Sequence, residues 1–167
     1  TDDEQRLGPK RACSQGWITA PAMRSALLLT TAVACVVGLP LILYGGWEMI
    51  LVGLACVVFC FLYTISLSYM GLGDVLVLVF FGLVPVSMTY WLVAPASPLL
   101  SIPLTVIGLS LACGLVIDTL LVVNNYRDID NDRRTGKRTL IVKIGAKNGR
   151  CLYLWLGIAA CIVNFLF

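Results

Sequence analysis

Residues 102–139, IPLTVIGLSLACGLVIDTLLVVNNYRDIDNDRRTGKRT, decide how this chain folds. About twenty apolar residues, Ile102 to Val123, suit one helix across a hydrocarbon core of roughly 30 Å, and they run straight into a segment crowded with amides, carboxylates and bases. A helix that starts near Pro103 and continues to Asp132 has about thirty residues and a length of roughly 45 Å, so its last turns project into water. On it Asn125, Asp128 and Asp132 are spaced by three and then four residues. They form one stripe, with side chains about 5–6 Å apart at the base, and Asp130 points elsewhere. Asp118, about ten residues or 15 Å below Asp128, is an intramembrane carboxylate and a functional candidate by default.

The rest of the chain agrees with that reading. Hydrophobic residues make up 59% and charged residues 13% of the sequence, against about 25% charged in an ordinary soluble domain. Further apolar runs cover Ala26 to Tyr44, Trp47 to Leu62 and Leu72 to Val93, and a fifth begins near Cys151 and is still apolar at Phe167. The expected fold is all-α: a polytopic transmembrane helical bundle with four complete spans and a truncated fifth, forming one domain over residues 1–167. The first residue is Thr1 and no signal peptide precedes it, so the chain reads as an internal piece of a longer protein, incomplete at both ends. Thr19 is placed to cap the first span with Pro21 in its first turn, Pro85 to kink the third, and Pro40 and Pro103 to mark span ends.

Basic residues fix the expected sidedness. Arg6, Lys10, Arg11 and Arg24 precede the first span, eight more follow the fourth, and none lies from Ser25 to Tyr126. Four spans is an even number, so both basic segments emerge on one side, the cytoplasm by the positive-inside rule. The turn from Tyr63 to Gly73 returns to that side, whereas Gly45-Gly46 and the connection from Ala94 to Pro98 face the other. The seven cysteines fall mostly within spans and the chain has no histidine. Imidazole zinc and haem sites are thereby excluded, and oxygen ligands for Mg²⁺, Mn²⁺ or Ca²⁺ remain.

Three aspartates at a helix C-terminus oppose the macrodipole by about 0.3–1 kcal/mol each. A solvated cap neutralised by the neighbouring arginines is one explanation. A divalent ion held by Asp128, Asp132 and phosphate oxygens is the other, since Mg²⁺ characteristically takes one or two carboxylates plus substrate phosphates.

The run Asn124 to Leu140, continuing to Gly145, resembles the second aspartate-rich motif of UbiA-type intramembrane prenyltransferases. Arg6-Leu7-Gly8-Pro9-Lys10-Arg11-Ala12 with Gly16-Trp17-Ile18 resembles the segment after the family's first such motif. Phe61-Leu62-Tyr63-Thr64 and Gly71-Leu72-Gly73-Asp74 are similar to family segments between spans. The Asn-Asn-x-Arg-Asp and Gly-Pro-Lys-Arg forms are most similar to members that prenylate dihydroxynaphthoate in menaquinone synthesis.

The resemblance implies a nine-helix bundle in a bacterial plasma membrane, with both aspartate motifs on the cytoplasmic side and the spans here the third to seventh. The first motif, Asn-Asp-x-x-Asp, is expected upstream of Thr1; Asp2 and Asp3 do not reproduce it. Also implied are a polyprenyl diphosphate donor, Mg²⁺, surrounding membrane lipid, no nucleic acid, and an aromatic acceptor that loses its carboxylate. In those roles Asp128 and Asp132 are the catalytic metal ligands, with Asn125 as helper. Lys10, Arg11, Arg127, Lys137 and Arg138 are expected to meet diphosphate, and Tyr63, Tyr69 and Asn124 to line the substrate pocket. Hydroxybenzoate, haem and chlorophyll prenylation are alternatives within the family. A transporter is the alternative outside it, and it leaves the aspartate stripe unexplained.

Overall fold

The computed structural model describes residues 8, 9, 11–94 and 101–167, and among them there are helices and no strand. Lys10, Arg6 and most of the connection after Ala94 lie outside the described residues. Five helices are long and apolar enough to cross a membrane: α1 (Ala20–Gly45), α2 (Glu48–Leu67), α3 (Gly73–Val93), α4 (Leu104–Arg127) and α6 (Leu140–Leu166). A short helix, α5 (Ile129–Arg134), lies between the last two. The protein is thus an all-α integral membrane protein. By packing, the chain divides into one compact unit that ends at Phe61 and a second, Leu62–Phe167.

In the first unit Thr19 caps α1 as expected, its hydroxyl accepting from the Ala22 amide at 3.4 Å. Pro40 lies in a tightened 3₁₀ turn, Leu39–Leu41. None of the apolar side chains of α1 is buried, and Leu28, Val36 and Leu43 stand out by more than three-fifths of their surface. Lipid is the solvent such a surface requires.

The second unit is built around α4, which packs against both α3 and α6. The first half of its buried face is small, Gly108, Ser110, Ala112 and Gly114, and the second half carries Asp118, Val122 and Asn125. Between membrane helices close backbone approach replaces the hydrophobic effect as the driving force, and small residues permit it. Gly82 of α3 lies so near α4 that a Cβ there would stand 2.5 Å from Gly114 Cα. One turn away, the buried hydroxyls of Ser87 and Ser110 are 3.1 Å apart. Gly82 belongs to a widened π-helical stretch, Leu78–Leu83, directly before Pro85. The ladder changes register there, where proline has no N–H to donate.

Two expectations change. The long helix from Pro103 does not run regularly to Asp132. Asp128 (φ −94°, ψ 10°) leaves the helical region, closing α4 at Arg127 and opening α5 at Ile129. Backbone bonds still bridge the bend, Asp128 N to Asn124 O at 3.1 Å and Asp132 N to Asp128 O at 2.8 Å. The bend reverses the electrostatic expectation, since Asp130 and Asp132 now occupy the first turn of a helix and Arg133 and Arg134 its last, as a helix dipole favours. The fifth span, expected from Cys151 and cut short, instead belongs to α6, Leu140–Leu166, which is two helical pieces joined by a kink at Gly145 (φ 80°, ψ 165°). Lys143, Lys147 and Arg150 dilute its early hydropathy, yet all three are exposed while Ile141 and Gly149 are buried.

Candidate functional site at the polar end of the second unit

The bend at Asp128 is held by a small core. Val122, Ile129 and Ile141 are buried together, with Tyr126, Val142, Ile144, Leu152 and Leu156 packed around them. Each such side chain contributes about 1.5–3 kcal/mol on burial, so Ile129 anchors the start of α5 and fixes where Asp132 points.

The far end of α5 is closed by a Schellman turn. Gly136 adopts φ +74°, its N–H bonds Arg133 O at 3.3 Å, and the Lys137 N–H reaches back to Asp132 O at 2.8 Å. Glycine is the ordinary occupant of that left-handed position. The fold-back brings Lys137 Nζ within 3.8 Å of Asp132 Oδ2. Thr139 then caps α6, its hydroxyl accepting from the Val142 amide at 3.3 Å.

The turn between α2 and α3 docks on this segment. Tyr69 O accepts from the Arg138 amide at 3.1 Å, and Lys143 Nζ donates to Met70 O. The turn and the basic segment therefore share one end of the unit, as the even span count requires. Between them opens a small cleft lined by Tyr63, Ser68, Gly71, Gly73, Asp74, Asn125, Lys137 and Thr139.

Sequence-derived candidates are thus partly assembled. Tyr63, Asn125 and Lys137 line the cleft, and Asp132, 5% exposed, touches it through Lys137. Asp128 is engaged elsewhere. Arg127 grips it with two bonds, Nε to Oδ1 at 2.8 Å and Nη2 to Oδ2 at 2.9 Å. Arg138 is exposed, and Tyr69 and Asn124 are half-buried outside the cleft lining. Arg11 is an exposed residue of the first unit, and Lys10 is outside the described residues.

Asp74, the end of the Gly71-Leu72-Gly73-Asp74 segment, has no role from the sequence alone, and the structure places it in the cleft lining. It is 7% exposed, it lines the cleft, and neither carboxylate oxygen has a hydrogen-bond partner. Tyr63 lies within electrostatic reach of both Asp74 and Asp132, and Asp118, buried deeper in α4, within reach of Asp74.

Among the described residues no three acidic or sulfur side chains are grouped to hold a metal. What the junction of α4 and α5 does offer is Asn125 and Asp132, oxygen donors more than nine-tenths buried, on either side of Asp128. That set fits a hard divalent ion whose remaining ligands are phosphate oxygens.

Residues 2–167 match the UbiA prenyltransferase family. This chain belongs to that family. It is 34% identical over 177 residues to 1,4-dihydroxy-2-naphthoate octaprenyltransferase of Escherichia coli (strain K12), covering 99% of this chain and 56% of that protein. The protein of the same description from Haemophilus influenzae is 35% identical, with 99% and 56% covered. The UbiA prenyltransferase domain-containing protein 1 homolog of Drosophila melanogaster is 36% identical over 109 residues, 64% of this chain and 29% of that protein. The chain therefore spans about half the length of the bacterial relatives it matches. No solved structure matches it. UbiA prenyltransferases generally use a divalent metal, in keeping with the oxygen donors at the end of α4.

Proposed function

We propose that the protein transfers a polyprenyl chain from polyprenyl diphosphate to 1,4-dihydroxy-2-naphthoate, with loss of CO₂, in menaquinone biosynthesis. The observation that carries this reading is the match of 99% of the chain to relatives with that description. The site chemistry supports it. Transfer requires stabilising the departing diphosphate, whose charge grows as the allylic C–O bond breaks. Mg²⁺, when bound, supplies positive charge against that diphosphate.

The chain's own residues do the rest. Asp132 and Asn125, with Asp128, would hold the ion where α4 meets α5. Lys137, kept at the cleft by the Schellman turn, meets the diphosphate, and Arg127 and Arg138 stand at its approach. Lys10 and Arg11 are proposed for the same anion from the N-terminal segment. Tyr63 walls the cleft with an aromatic face against the allylic cation, and Tyr69 and Asn124 are proposed to line the path of the substrate. The cleft faces the cytoplasm of a bacterial plasma membrane, where both substrates are available.

The full-length protein with the upstream aspartate motif, in lipid vesicles and given polyprenyl diphosphate, the naphthoate and Mg²⁺, should yield a product of increased mass that has lost CO₂; chelation should abolish it, and residues 1–167 alone should show no transfer. Prenylation of hydroxybenzoate with the naphthoate ignored would keep the reaction class and overturn the acceptor.

A further inference from the structure

Asp74 is a second, separate requirement for a ligand at this cleft. It sits in the first turn of α3, its side chain lines the cleft, and the residue is 93% buried by its 7% exposure. Both Oδ atoms lie inside without a hydrogen bond; its own amide N–H is nearby but not in bonding geometry. Leaving a carboxylate buried and unpaired costs several kcal/mol. A carboxylate offers acceptor positions on both oxygens, so a hydrogen-bond donor would relieve it. The cationic donor at the cleft, Lys137, is placed against Asp132. The neighbouring wall, Tyr63, is an aromatic ring that lies over Gly73, with Cε2 3.6 Å from where a Cβ would be.

We propose that Asp74 binds a phenolic hydroxyl of the aromatic acceptor, with Tyr63 as the adjoining wall of the acceptor pocket. This rests on the reading above that the acceptor is a hydroxylated ring, and it adds the residue that recognises it. The ring enters beside Tyr63 and its O–H donates to Asp74. Hydrogen bonds to a charged group are worth about 1.5–3 kcal/mol, which is on the order of ten- to a hundredfold in affinity.

Equilibrium binding tests it without turnover. 1,4-Dihydroxy-2-naphthoate and its dimethyl ether are titrated calorimetrically into the protein in lipid vesicles, as wild type, Asp74→Asn and Asp74→Ala. The naphthoate should bind both variants at least tenfold more weakly than wild type, while the ether binds all three alike and Kd for polyprenyl diphosphate is unchanged. Equal naphthoate affinity in the three proteins overturns the assignment. So does an equal loss for naphthoate and ether, or a loss confined to the diphosphate. Should Asp74→Ala fail to insert, the isosteric Asp74→Asn decides alone. Asp74-dependent binding without any transfer would overturn the proposed reaction and leave this inference standing; transfer with Asp74-independent binding would do the reverse.

Discussion

Asp132 and Asp128 are one turn apart and differ in what holds them. Asp132 is buried beside Lys137, whereas Asp128 is fastened to its neighbour Arg127 at the rim. An ion pair as exposed as Arg127–Asp128 contributes about 0–1 kcal/mol, far less than a divalent ion and a diphosphate offer, so the pair does not prevent Asp128 from serving as a ligand. Asp132→Asn is expected to lower turnover by at least about 10²-fold, the scale of one lost transition-state electrostatic contact, with membrane insertion kept. Initial rates in lipid vesicles at saturating Mg²⁺ check this, and near-normal turnover would remove Asp132 from the metal site. Asn125, Asp128 and Asp132 were legible as candidates from helical spacing, although the break at Asp128 divides that stripe between α4 and α5. Asp74 was not: one carboxylate in a helix first turn is ordinary, and only the docking of the loop from Gly136 to Thr139 encloses it.

At the scale of elements, spans and caps were legible and the bend was not. Thr19 and Pro21 signal the start of α1 through local chemistry that needs no tertiary partner. The break at Asp128 comes where Ile129 packs with Val122, two turns earlier, and with Ile141 beyond Gly136, a partner that helical spacing does not supply. Similarly, Leu140 begins a helix because Thr139 caps it, although lysines mask the apolar pattern there. The two glycine contacts give separable expectations. Gly136→Ala should cost about 1 kcal/mol from its left-handed backbone and displace Lys137, raising KM for the diphosphate with little change in the acceptor's. Gly82→Ala drives a methyl group into the α4 backbone, and overpacking of that kind costs typically 1–3 kcal/mol. Thermal unfolding in detergent should show a lowered Tm for Gly82→Ala and none for Gly53→Ala, whose Cβ meets nothing within 4 Å. An unchanged Gly82→Ala would mean that α3 and α4 are not in backbone contact.

For the molecule as a whole, charge placement and span parity make one claim about orientation. No basic residue separates Arg24, which the structure places in the early turns of α1 and not before it, from Arg127, the last residue of α4, and four spans join the two basic segments. An even number returns the chain to its starting side, and insertion energetics place Lys and Arg in the cytoplasm. Independently, the second unit joins the turn at Ser68–Gly71 to the segment holding Lys137 and Arg138 through Tyr69 and Met70. Two spans, α3 and α4, separate that turn from that segment, so parity and hydrogen bonding agree. Single cysteines at 11, 68 and 137, in a background without the seven native ones, should react with a membrane-impermeant thiol reagent only from the cytoplasmic face. A cysteine at 46, one span beyond α1's start, should react only from the opposite face. Position 68 tests the structure and position 11 the parity. Labelling of 68 and 137 from opposite faces would break the α2–α3 turn's contact with the basic segment and with it the cleft. Labelling of 11 and 137 from opposite faces would instead mean that one of the first two helices does not cross, leaving the site itself intact.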